Sequence, residues 1–172
     1  MNTYSKLINN EGGVMMIYIV NMVIRYTENE VFLGLSKTFD GCLDVLRDHF
    51  PAQTNLEKLS HSPTRIIYRV KDKPELYIHI YAKNRCDFDG DMGWVICKRR
   101  EGTMTENVYA LFNNKEDMQR FVEANVDEPI YTFREKCGIT EVDGYIPFSK
   151  IIGDQNPELN KVHYTIYETE VK

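Results

Sequence analysis

The chain has 172 residues, of which 42% are apolar and 27% charged, and a formal net charge of −5. That balance excludes disorder and any general electrostatic pull toward nucleic acid, although Lys98-Arg99-Arg100 and the set Arg65, Arg69, Lys71 and Lys73 are local basic spots. The longest apolar stretch, Val14-Met15-Met16-Ile17-Tyr18-Ile19-Val20, is far short of the roughly 20 residues of a membrane helix. The four cysteines (Cys42, Cys86, Cys97, Cys137) form no C-x-x-C pair and follow no secretory segment, so unpaired thiols in a cytoplasmic protein are expected.

Residues 1–15 read as a leader, because Met1 to Gly13 is polar and patternless while strand periodicity begins at Met16. Glu11-Gly12-Gly13 can be encoded by a purine-rich stretch of the kind bacterial ribosomes pair with, and Met15 and Met16 lie at initiation distance. The expectation is a native start at Met16 in a bacterial or bacteriophage gene, with residues 16–172 forming one α+β domain.

In that domain Ile17–Arg25 and Val31–Leu35 are predicted strands around the turn Tyr26-Thr27-Glu28-Asn29. A helix is predicted over Thr38–Phe50, where Phe39, Cys42, Leu43, Leu46 and Phe50 fall at helical spacing and Pro51 stops the run. Thr54-Asn55-Leu56-Glu57 suggests a capped helical turn. Arg65–Val70 and Glu75–Ala82 form a predicted hairpin across Lys71-Asp72-Lys73-Pro74. On its second strand Leu76, Ile78 and Ile80 line one face and Tyr77, His79 and Tyr81 the other.

Trp94–Arg100, Val108–Phe112 and a helix near Lys115–Asn125 repeat the strand-strand-helix plan. Thr105-Glu106-Asn107 matches Thr27-Glu28-Asn29, and Asn113 with Glu116 supplies a capping box. Asn125 and Pro129 mark the helix exit. Ile130–Phe133 is a short strand, Phe148–Ile151 is ambiguous, and Val162–Glu168 alternates as a final strand. The expected fold is a mostly antiparallel sheet of about seven or eight strands carrying two amphipathic helices.

The most chemically suggestive run is Asp87-Phe88-Asp89-Gly90-Asp91, with carboxylates at alternate positions around a glycine. Over about half a dozen residues it is similar to the Asn-Ala-Asp-Phe-Asp-Gly-Asp loop of multisubunit RNA polymerases, whose aspartates hold the catalytic magnesium. An extra residue separates Asn84 from Asp87, and the chain lacks room for the paired barrels of those enzymes, so no polymerase is inferred. The ordinary reading is a two-residue Asp89-Gly90 hairpin turn joining Glu75–Ala82 to Trp94–Arg100, with an acidic tip suited to a basic partner.

His163-Tyr164-Thr165 resembles one half of the pattern of two-histidine phosphoesterases. The second half is missing, since His79-Ile80-Tyr81 lacks the hydroxyl at its third place and His61-Ser62-Pro63 lies in a predicted loop. No phosphate-binding glycine loop, G-x-S-x-G or H-E-x-x-H motif is present. The leading expectation is therefore a non-enzymatic protein-binding regulator or inhibitor. It would engage a protein with a basic surface through Asp87, Asp89 and Asp91 and through Tyr77, His79 and Tyr81, with neither cofactor nor nucleic acid as direct ligand. The alternative is a divalent-metal enzyme acting on phosphate esters or nucleic acid, with the same aspartates as ligands.

Overall fold

The computed structural model describes residues 15–27, 29–50, 55–85, 87–99, 106–151, 153 and 160–172, so the expected leader, save Met15, lies outside the described residues. The fold is α+β, and its strands divide between two antiparallel sheets of five rather than joining one sheet of seven or eight. The first half runs β1 (Met16–Ile24), β2 (Asn29–Ser36), α1 (Phe39–His49), β3 (Leu56–His61), β4 (Arg65–Val70) and β5 (Lys73–Asn84). The second runs β6 (Met92–Arg99), β7 (Glu106–Phe112), α2 (Lys115–Asn125), β8 (Asp127–Arg134), β9 (Ile139–Tyr145) and β10 (Lys161–Glu170). The sheet orders, β2-β1-β5-β4-β3 and β7-β6-β10-β9-β8, are one topology used twice.

The repeat extends to detail. The helices begin 76 positions apart, and so do their caps, Thr38 and Asn114. A register shift falls between Val20 and Asn21 in β1 and between Ile96 and Cys97 in β6, again at that spacing. The repeated unit is thus ββαβββ, larger than the strand-strand-helix plan expected from sequence. In this frame Glu106 corresponds to Glu30, not to the Glu28 that the Thr-Glu-Asn match selects.

Burial explains the layering. Ile17 and Ile19 of β1 enter a core shared with Phe32, Leu35, Phe88, Val95, Cys97 and Leu111, which joins the sheets face to face. Tyr18 and Val20 point the other way, onto Cys42, Val45 and Leu46 of α1. Met118 and Val122 of α2 cover Ile96, Val142 and Tyr164 of the second sheet in the same manner. The result is helix, sheet, sheet, helix. Strands packed on both faces lose the polar alternation of a half-exposed strand, which is why β1 reads as an apolar run interrupted only by Asn21.

Each helix starts on a satisfied amide: Thr38 Oγ1 accepts from Gly41 N at 3.0 Å and Asn114 Oδ1 from Asp117 N at 2.8 Å. The second cap is therefore Asn114 rather than Asn113. Leu56 and Glu57, expected in a helical turn, belong to β3. The turn before β5 is Lys71-Asp72, and Pro74 lies inside β5 beside a register shift, where a missing N–H is tolerated. Pro129 likewise sits within β8 at a bulge, next to Glu128 at φ 52°. Phe148–Lys150 is a single 3₁₀ turn. No described helix is long and apolar enough to cross a membrane.

Candidate functional site

The acidic run is a joint between the halves, not a hairpin tip. β5 and β6 lie in different sheets, so Asp89-Gly90 has no strand pair to close. Phe88 explains the path: its ring is wholly buried between the sheets, and the flanking polar residues face outward. Arg85 Nε and Nη2 each donate to Asp87 at 2.8 Å while Arg85 Nη1 donates to Leu111 O at 2.9 Å. This arginine holds the Asp87 carboxyl below the usual carboxylate range. Lys37 Nζ donates to Asp89 O at 3.2 Å and to Asp91 Oδ1 at 3.0 Å, and Asp91 O accepts from Val171 N at 2.8 Å. Asp87 and Asp91 are thus spent on cations of the same chain. Among the described residues no three His, Cys, Asp or Glu side chains gather as a metal site.

Tyr77, His79 and Tyr81 share the face of β5 that looks toward the second sheet, as the alternation predicts, with Arg69 opposite Tyr77 and paired to Glu57. Tyr81 is packed at the rim of the shared core and its hydroxyl donates to Glu30 Oε1 at 3.3 Å; Asn21 Nδ2 donates to the same oxygen at 2.9 Å. His79 Nδ1 lies 3.2 Å from the Tyr81 hydroxyl, and burial lowers the imidazole's pKa. The second half reproduces the arrangement: Thr165 Oγ1 and Tyr167 OH donate to the two oxygens of Glu106, at 2.7 and 2.9 Å. The rings of Phe32 and Tyr167 meet across the interface, tilted by 52° with centroids 5.1 Å apart. The hydrogen bonds of each cluster stay within its own sheet, and the contact that crosses between the sheets is that of the Phe32 and Tyr167 rings.

Two of the described thiols are held away from nucleophilic chemistry by burial. Cys42 and Cys97 are buried; burial pushes the Cys42 thiol up to about 12 and raises that of Cys97 as well. Cys86 lies outside the described residues. His163 is paired with Asp143 on the neighbouring strand, and the position equivalent to it in the first half is held by Tyr77, so the repeat does not supply a second His-x-Thr strand.

The surface that departs from ordinary practice is an edge. β8 presents Ile130, Tyr131 and Phe133 at 66, 49 and 64% exposure, with Phe148 at 85% and Tyr145 at 45% elsewhere on the surface. Sheets normally blunt their edges against stray pairing. β8 does so only where it begins, through Pro129 and its bulge, whereas the other three edges are covered or charged. At β2, Leu35 bridges Val171 and accepts from Lys172 N at 3.0 Å; at β7, Arg85 occupies Leu111 O; β3 exposes Lys58, Ser60 and His61 around one leucine. Sequence reasoning found Ile130–Phe133 as a strand but not as a surface, because an apolar tetrapeptide reads as core until its neighbours are known.

No known protein family, curated protein or solved structure matches this chain.

Proposed function

We propose that the protein is a non-catalytic binding module of the regulator or inhibitor kind, acting by occupying a protein surface, and that its docking element is the free edge of the second sheet. The observation that carries this reading is β8, whose apolar side chains are exposed on both faces of an edge strand that pairs with no described strand beyond β9. A row of unpaired backbone donors and acceptors flanked by Tyr and Phe is the equipment of strand addition, in which main-chain hydrogen bonds supply affinity and alternate side chains supply selectivity. Aromatic anchors are also the side chains over-represented in protein interfaces. The acidic joint contributes less, since two of its carboxylates already have intramolecular partners.

A photoreactive aromatic residue placed at Phe133 of the full chain should give a discrete covalent adduct with a protein on irradiation in bacterial cells. The same residue at Leu59, on the equivalent strand of the first half, should not. Equal adduct patterns from both positions, or none from Phe133, would remove the reading.

A further inference from the structure

Resting on that docking edge, we infer that its occupant is a second copy of this chain, with β8 pairing antiparallel to β8 about a two-fold axis at Thr132. The argument starts from which backbone groups are free. Ile146 N donates to Asn160 O at 2.8 Å, and the unbroken β9–β10 register, Tyr145 opposite Lys161 to Ile139 opposite Tyr167, carries that pairing inward every second residue. Val142 therefore bonds toward β10, while Ile139, Glu141 and Asp143 bond toward β8. Their partners Arg134, Thr132 and Ile130 spend their N–H and C=O groups inside the sheet. Tyr131 and Phe133 turn theirs out.

The bulge between Asp127 and Ile130, with Pro129 inside it, withdraws the start of the strand and leaves Ile130–Arg134 as the regular stretch. Only one two-fold register uses the whole of that stretch and its two outward residues together. It sets Thr132 against its own copy, Tyr131 against the partner's Phe133, and Ile130 against the partner's Arg134. Each Tyr131–Phe133 pair exchanges two backbone hydrogen bonds, four in all, and Pro129 is not asked for a donor.

Charge complementarity fits antiparallel self-pairing and disfavours the parallel arrangement. β8 is acidic where it begins, at Asp127 and Glu128, and net basic at its other end, where Arg134, already paired with Glu141, is followed by Glu135 and Lys136. Antiparallel self-pairing brings each acidic end to a basic end, whereas parallel pairing would stack like on like. Tyr131 and Phe133 share the α2 side of the sheet with Val142, so the pairing lines up four exposed rings along one continuous ten-stranded sheet. A two-fold contact also closes, which an open strand-to-strand contact does not.

The test is a symmetric disulfide. In a full chain carrying Cys86→Ser and Cys137→Ser, Thr132→Cys should oxidise rapidly to a covalent dimer, because non-hydrogen-bonded antiparallel neighbours bring their Cα atoms to about 4.5 Å, within disulfide range. Leu59→Cys on β3 should stay monomeric. Analytical ultracentrifugation of the unmodified protein should show a concentration-dependent dimer that Phe133→Lys shifts at least tenfold toward monomer. Thr132→Lys, which puts two like charges on the axis, should do the same at an exposed position where folding is not at issue. A monomer throughout, a dimer indifferent to both lysines, or equal oxidation at positions 59 and 132 would each overturn the inference. Should the chain stay monomeric while Phe133 still cross-links to a different protein, the docking edge stands and self-pairing falls.

Discussion

Glu30 on β2 and Glu106 on β7 hold the same position in the two halves, and each accepts a hydrogen bond from the hydroxyl of the tyrosine at the same place in the last strand of its own unit, Tyr81 or Tyr167. Both carboxylates lie at the interface between the sheets, and the fields of both reach the Cys97 thiol. The two halves are not equal in strength. Glu106 binds two hydroxyls at 2.7 and 2.9 Å, whereas the Tyr81 bond to Glu30 is 3.3 Å. Tyr167→Phe should accordingly lower stability by about 1.5–3 kcal/mol, the range for a hydrogen bond to a charged group, and Tyr81→Phe by less. Urea midpoints of the two variants against the parent protein measure the difference.

Phe88 is the pin of the joint. Its ring fills the space between the sheets, and a Cβ added to Gly93 would stand 2.6 Å from Leu35 Cδ1 and 3.0 Å from Phe88 Cζ. Phe88→Ala should therefore cost about 3–5 kcal/mol by leaving a cavity. Gly93→Ala should cost about 1–3 kcal/mol by overfilling the same place. Denaturant titration followed by tyrosine and tryptophan fluorescence reports both, and a Phe88→Ala protein of parental stability would refute the assignment.

The carboxylates around Phe88 make a distinct prediction in acid. The Arg85 hydrogen bonds depress the folded pKa of Asp87 below the ordinary 3.8, so their stabilisation is complete above that value and is lost as pH falls through the lower, folded one. Asp87 is half exposed, so solvent screening keeps the effect to under about 1 kcal/mol. Asp87→Asn should lower the melting temperature at pH 6 and leave it nearly unchanged near pH 2.5. Equal effects at both pH values would show that the bond does not act through charge.

A catalytic reading of the same run has a direct assay. Calorimetry with millimolar Mg²⁺ or Mn²⁺ should give no stoichiometric heat. Saturable binding abolished by Asp89→Asn would restore the divalent-metal alternative.

Thiol accessibility should follow burial. Alkylation of the native protein at pH 8 should label Cys137, which is exposed, while Cys42 and Cys97 should react only after unfolding. Mass mapping of the labelled peptides checks this, and native labelling of Cys42 would contradict its place beneath α1.

What the sequence by itself determined was local. Phe39, Cys42 and Leu46 at helical spacing behind a threonine cap specify α1, and the alternation of Ile78 and Ile80 against Tyr77, His79 and Tyr81 specifies the two faces of β5, because both periods are set by backbone geometry within a few residues. The internal repeat was also legible, though the Thr-Glu-Asn match set its register two residues off.

β9 escaped notice because Val142 is its one fully buried side chain, too little for a period to register. Tertiary structure alone decided which strands are neighbours: β1 bonds to β5, and β6 to β10, across distances in sequence that no local pattern encodes. That pairing placed β5 and β6 in different sheets and so turned an expected acidic hairpin into a joint around Phe88. It also left β8 at an edge, where the same apolar residues that would have made a core strand became the surface most in need of a partner.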